Sequence, residues 1–134
     1  MSEATSKYAV LVYDTQNKWI YLCYLGFVPR TEHRLINQEL LELVTAKKAT
    51  KMLGDLTRMG AIAPDDQKWM IEFWAEQTAK VAPLSIALIL PKQAIASMSL
   101  KSFDKLATPD PISPSNTRHF SSDAEASAWL KTVN

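Results

Sequence analysis

What this chain has little of limits what it can do. Its three glycines, Gly26, Gly54 and Gly60, are scattered singly. That leaves no glycine-rich loop to cradle a phosphate and no G-x-G-x-x-G dinucleotide fingerprint. A single cysteine, Cys23, excludes an intrachain disulfide and a cysteine-based zinc cluster. Set within the apolar run "WIYLCYLGF", it reads as a small buried hydrophobe rather than a reactive thiolate. There are two histidines. His33 falls in the first turn of a surface helix and His119 beside a short terminal strand, and both are expected to be exposed or at an edge. Neither stands near a strained serine turn, and no H-x-x-x-H pair offers metal ligands. The adjacent Asp65 and Asp66 diverge by about 100° on a helix, so they do not form a working carboxylate pair. The expectation is a protein that is not an enzyme, with no cofactor, no catalytic residue and no metal site.

Excess charge is missing too. The formal net charge is +1, which gives no general pull toward DNA, RNA or anionic membranes. One local concentration stands out: "TAKKATK" places three lysines between Thr45 and Lys51. It reads either as a basic patch or as the solvated end of a helix, where lysine complements the dipole. No stretch approaches the roughly 18 apolar residues of a membrane span, and "MSEATSK" lacks the apolar run of a signal peptide. The cytoplasm is the expected compartment, with no transmembrane segment.

What is present is an ordinary globular composition: 134 residues, 47% hydrophobic and 22% charged, enough for a single domain over 1–134 with residues 1–7 as a flexible tail. "YAVLVYD" (8–14) and "WIYLCYLGF" (19–27) flank the polar "TQNK" and predict an antiparallel hairpin. Pro29 ends the second strand, and Thr31 is placed to cap a helix carrying the stripe Ile36, Leu40, Leu43 and Val44 and ending near Lys48. "KMLGDL" (51–56) is a short strand. Pro64 opens the clearest helix, running to about Val81, with Asp65 and Asp66 where the dipole favours negative charge. "SIALILP" (85–91), bounded by prolines, predicts a central strand covered on both faces. A helix over about 92–106 and a proline-rich loop over 107–117 follow. "RHF" (118–120) is a last short strand, and Ser122 with Glu125 forms a capping box for a final helix with Trp129, Leu130 and Val133 inside. The order ββαβαβαβα predicts an α/β fold: a mixed β-sheet with helices.

The one dense set of polar groups is "GDLTRMGAIAPDDQKWM" (54–70). Asp55, Thr57 and Arg58 close a strand, and Asp65 and Asp66 open the next helix. Ligands of open α/β sheets bind outside the carboxyl ends of strands, so these five residues form a candidate polar interaction surface. Equally, Asp55 and Arg58 can pair with each other or with the acidic helix start. "QKWMIEFW" mixes aromatic and basic residues as base-stacking surfaces do. Yet Trp69, Phe73 and Trp74 keep the period of a core face, with Glu72 and Glu76 on the polar side. No nucleic-acid partner is expected.

The segments "KMLGDLTRMGAIAPDDQKWM" with "EFW", "SIALILPKQAIASMS" and "RHFSSDAEASAWL" resemble the STAS-like superfamily, named for sulphate transporters and anti-sigma-factor antagonists, and most resemble a bacterial, largely uncharacterised branch. The likeness covers roughly residues 8–130. It implies a helix-covered mixed sheet that acts as a regulatory or protein-interaction module rather than by catalysis. In anti-sigma-factor antagonists a strand-end Asp leads to a Ser at the next helix start, which a partner kinase phosphorylates. Asp55 matches the Asp. The Ser is missing, because the helix starts "APDDQ" and no hydroxyl residue occurs from Ala61 to Glu76. Asp65 and Asp66 then place fixed charge where phosphate would sit, with Thr57 the nearest hydroxyl. The superfamily is also similar in architecture to CRAL-TRIO lipid-transfer domains. That implies an alternative, a lipid or small apolar ligand held against a wall of Trp69, Phe73 and Trp74.

Overall fold

The two opening apolar runs fold back on each other as expected. In the computed structural model, which describes residues 3–5, 7–60, 64–77, 84–91 and 116–133, β2 (Ala9–Asp14) pairs antiparallel with β3 (Trp19–Tyr24). Asp14 builds the turn. Its carboxylate accepts from the backbone N–H groups of Gln16 and Asn17, each at 3.0 Å, and from the Asn17 side-chain amide at 2.8 Å. These bonds, the Asn17 N–H foremost, hold the Asp14 pKa below its ordinary value. Residues 1–7 are not simply a tail: β1 (Glu3–Thr5) pairs antiparallel with β2 and satisfies backbone groups on that strand's outer edge.

From β3 onward the pairing changes sense. β4 (Lys51–Asp55), β5 (Ser85–Ile89) and β6 (Asn116–Phe120) run parallel to β3 and to one another, giving a six-stranded sheet in the order β1 to β6. Parallel neighbours need long crossovers. Helix α1 (Arg30–Lys47) supplies the one from β3 to β4, and α2 (Pro64–Gln77) lies in the one from β4 to β5. The helix and loop expected over 92–115 lie outside the described residues. The last strand is longer than "RHF", beginning at Asn116, and α3 (Asp123–Thr132) follows it. Ser122 caps α3 as expected, its hydroxyl accepting from Glu125 N–H at 3.2 Å, while the Glu125 carboxylate meets the Ser121 hydroxyl at 3.4 Å.

The pleat sorts the apolar residues between two cores. On one face Leu11, Ile20, Leu22, Tyr24 and Met52 meet Ile36, Leu40, Leu43 and Val44 of α1. On the other, Trp19, Leu53, Ala87 and Ile89 meet Ala126 and Leu130 of α3. β5 is second from the edge rather than central. Ala87 and Ile89 are buried under α3, but Ile86 and Leu88, on the opposite face, are half-buried.

The start of α1 departs from expectation in two ways. Pro29, not Thr31, occupies the cap position, and no side chain caps the helix; the Pro29 carbonyl accepts from His33 N–H at 2.8 Å. An extended proline (φ −60°, ψ 154°) already has the geometry of a residue entering a helix, so Thr31 falls inside the first turn. His33, expected at the surface, is 2% exposed. It lies three residues before Ile36 and seven before Leu40, so it extends the same buried stripe by one period. Its ring centroid is 5.8 Å from that of Tyr24, and neither ring nitrogen has a hydrogen-bond partner among the described residues.

His33 borders a polar seam between α1 and α2. Asn37, fully buried, donates to the His33 carbonyl at 2.8 Å and accepts from Trp74 Nε1–H at 2.9 Å. It also hydrogen-bonds the hydroxyl of Tyr24, whose pKa burial pushes up to about 12. One amide thus ties both helices to β3. Replacing it, Asn37→Ala, leaves the Trp74 N–H without its partner and should cost about 1–3 kcal/mol in urea unfolding, with Trp74 fluorescence reporting the loosened seam. His33 makes stability depend on pH. Burial, aided by Arg34 and opposed by Asp66, lowers its pKa in the folded state. The unfolded chain therefore binds the extra proton first, so stability is full above about pH 6.5 and falls as pH drops below it, by at most about 1.4 kcal/mol per pH unit. His33→Phe should flatten that slope in unfolding curves measured at a series of pH values.

Candidate functional site

Because β3 to β6 are parallel, their carboxyl ends share one edge, and α1, α2 and α3 all begin there. This edge gathers the sequence-predicted polar residues. Asp55 ends β4 and folds the chain over itself: its Oδ1 accepts from Thr57 N–H at 2.9 Å and from the Thr57 hydroxyl at 2.6 Å. The turn continues with Leu56 N–H bonded to the Ile89 carbonyl and Met59 N–H to the Leu56 carbonyl. Thr57 and Arg58 project from it, exposed.

The two readings of Asp65 and Asp66 separate cleanly. Arg30, the first residue of α1, reaches across to the start of α2. Its Nε lies 2.8 Å from Asp66 Oδ1 and its Nη2 4.0 Å from Asp65 Oδ2. Among the described residues, the carboxylates at this helix start therefore meet Arg30, not Arg58. Asp66 is spent on that pair and is 8% exposed. The Asp65 side chain is 88% exposed, only loosely paired with Arg30, and presents its charge to solvent on the helix dipole.

Sequence reasoning missed the most prominent group on this edge. Phe27 is 69% exposed, and the two residues before it are held by hydrogen bonds to two other segments. Leu25 N–H bonds the Tyr8 carbonyl at 2.8 Å, Gly26 N–H the Arg58 carbonyl at 2.6 Å, and Gly60 N–H the Gly26 carbonyl at 2.8 Å. Gly26, at φ 74°, makes the turn that only glycine adopts freely. Gly60 allows close approach: a Cβ there would stand 3.0 Å from both Phe27 Cα and N. The signal was available in two of the chain's three glycines, one beside Phe27 and one after "TRM", but not their contact.

On the α3 side of the sheet, beneath this turn, Tyr21 hydrogen-bonds Cys23. Burial raises the pKa of both groups; the bond to Cys23 and then Asp55 raise Tyr21 further, while for Cys23 the bond to Tyr21 opposes the rise and Asp55 adds to it. Cys23 is a buried thiol, consistent with packing and opposed to nucleophilic use. Among the described residues no group of three His, Cys, Asp or Glu could hold a metal ion, and no helix is long and apolar enough to cross a membrane.

The aromatic wall divides. Trp74 packs into the α1-side core and is fixed by Asn37. Trp69 and Phe73 are half-buried and stacked, with ring centroids 4.9 Å apart, and the Arg34 guanidinium lies 5.1 Å from the Trp69 centroid.

No protein-family model matches this chain, and no curated protein matches it. Among solved structures it is similar to an uncharacterized protein of the DUF3478 family from Shewanella loihica PV-4, described as having a SpoIIAA-like fold. The likeness covers 96% of this chain and 94% of that one, with a TM-score of 0.57 and 14% sequence identity. At that identity it speaks to architecture alone. The α/β architecture that the STAS resemblance implied is thus shown: this chain has a SpoIIAA-like fold.

Proposed function

We propose that this protein is a non-catalytic regulatory module of the cytoplasm that binds a partner protein through the carboxyl edge of its sheet. The observation that carries the reading is Phe27. An exposed aromatic directly after a hydrogen-bonded turn, its backbone packed against Gly60, loses less conformational freedom on binding than one on a free loop, which suits it to anchor an interface. Arg58 projects beside it, and Asp55, Thr57 and Asp65 give the polar rim that surrounds an anchor.

A small-ligand alternative keeps one supporting observation, the half-buried stack of Arg34, Trp69 and Phe73. Trp74, committed to the core, leaves that wall shorter than the sequence implied. Native mass spectrometry of freshly purified protein separates the readings: a bound lipid-sized mass favours the ligand module, and a bare chain the interaction module.

The direct test places a photo-crosslinking amino acid at Phe27 and, as a control, at Glu42 on the outer face of α1. In the native host, discrete protein adducts should form from position 27 and not from position 42; equal patterns would sink the proposal. With the captured partner in hand, Phe27→Ala should weaken binding by about 2 kcal/mol or more, roughly thirtyfold, while changing stability by no more than about 0.5 kcal/mol. The two aspartates should part company. Asp65→Ser lowers affinity with little change in stability. Asp66→Ser first costs about 1 kcal/mol in unfolding, because it removes the charge-assisted bond to Arg30, which is itself half-exposed.

A further inference from the structure

The opposite edge of the sheet carries the other half of the charge. Here β3 and β4 begin and α1 and α3 end, and lysines stand on this edge at three places: the β2–β3 turn, the α1–β4 connection and the end of α3. Lys18 closes the β2–β3 turn, Lys47 and Lys48 end α1, Lys51 opens β4, and Lys131 lies in the last turn of α3. All are exposed except Lys51, which is half-buried. Among the described residues, the acids on this edge are Asp14, Glu3 at the start of β1, and Glu76 at the end of α2; Asp14 is occupied in its turn. The carboxyl edge, by contrast, holds Asp55, Asp65, Asp66, Asp123 and Glu125. On the carboxyl edge those acids are nearly matched by Arg30, Arg34, Arg58 and Lys68, so among the described residues the amino edge is the one with excess positive charge.

Backbone geometry makes the lysines more telling. Among the described residues, two non-glycine residues have positive φ: Lys18 at 61° and Lys48 at 52°. Left-handed positions are held at least cost by glycine, then asparagine. Lys48 is the helix C-cap, with its N–H directed back to the carbonyls of Val44 and Thr45, a place where glycine is the usual residue. At both left-handed positions of this edge the chain carries a charge where backbone preference favours glycine. Local folding is served worse by this choice, so the charge itself is what the position supplies.

The chemistry of the patch selects its partner. It is built from lysine, while the arginines Arg30, Arg34 and Arg58 belong to the other half of the molecule. Lysine is a hydrated point charge on a flexible stem and suits a diffuse anionic surface better than the bidentate reading of single phosphates or carboxylates. Nor do the described residues of this edge offer bases a stacking platform: Trp19 is buried, and the Tyr13 ring is covered by Lys47, whose Nζ is 5.6 Å from its centroid. Five lysines fall within the range of basic clusters that hold proteins on anionic leaflets. We infer that the amino edge is a peripheral docking surface for an anionic lipid bilayer, which would leave the carboxyl edge facing away from the membrane and open to a partner.

The test is co-sedimentation with phosphatidylcholine vesicles containing roughly one-third phosphatidylglycerol, over about 50 to 200 mM salt. The protein should sediment with these vesicles at low salt, release as salt rises, and ignore pure phosphatidylcholine. The informative variant is Lys18→Gly/Lys48→Gly, which removes two charges and relieves two left-handed backbones. Vesicle partitioning should fall roughly twenty-five-fold, about fivefold per lysine, while the thermal midpoint stays equal or rises. Lys47→Gln/Lys51→Gln, at positions without positive φ, should reduce partitioning similarly, and Asp65→Ser should not reduce it. Equal sedimentation with pure phosphatidylcholine, unchanged partitioning of both lysine pairs, or tighter binding to duplex DNA than to the vesicles at the same salt would overturn the inference.

Discussion

The parallel pairing of β3 with β4 is the constraint on which the rest of this structure depends. Up to Tyr24 the chain is an antiparallel meander, whose turns need only a few residues. Pairing Ile20 with Met52 and Cys23 with Asp55 in parallel register forces a crossover, and α1 is that crossover. Once β4 lies parallel to β3, the ends of both strands meet at one edge. There Gly26 bridges to Met59, bringing Phe27 beside the Asp55–Arg58 turn. The candidate site is thus not a local motif. It is a consequence of strand direction, with two glycines removing the steric objection to a close backbone approach.

The same crossover creates the buried polar seam. α1 must lie on the sheet while α2 packs beside it, and the junction is filled by His33, Asn37 and Trp74 rather than by aliphatic residues alone. Asn37 satisfies the Trp74 indole and a backbone carbonyl together, so this part of the seam is fully bonded. The His33 ring, in contrast, is buried with both nitrogens unpaired among the described residues, a cost in desolvation that an apolar residue of the same size would not incur. Above it Asp66 and Arg30 close the seam with an ion pair. Charge at the start of α2 is therefore tied to helix docking, not simply displayed on the surface.

Much of this was legible in the chain. Period-two and period-3.6 patterns marked the hairpin, α1, α2 and α3, and the Ser122–Glu125 spacing marked a real cap. One-dimensional pattern underdetermines packing at several points. Polarity suggests a surface place for His33, but its spacing from Ile36 and Leu40 puts it on the buried stripe. Residue type favours Thr31 as the cap, but the rigid φ of Pro29 starts the helix earlier. β1 has three residues, too short to carry a period. The polar residues of the edge were visible as a cluster; Phe27 was not, because it comes from another strand and reads as the end of an apolar run. Which aromatic is exposed depends on what packs over it, and that is a property of the tertiary fold.

The geometry also limits how far fixed aspartates can stand in for a phosphorylated serine at the start of α2. A phosphoserine brings about −1.5 to −2 charge and three acceptor oxygens, and it can be removed. Asp66 brings one charge, but Arg30 at 2.8 Å neutralises it and binds it into the α1–α2 seam. What remains toward solvent is essentially Asp65, a single carboxylate on the helix dipole. The surface is therefore less negative than a phosphorylated one, and it is not the neutral serine surface either. The charge at the start of α2 is thus fixed by the chain itself, since no hydroxyl residue from Ala61 to Glu76 can take a phosphate there; the exposed Thr57 in the turn before it is the nearest group that could change its charge.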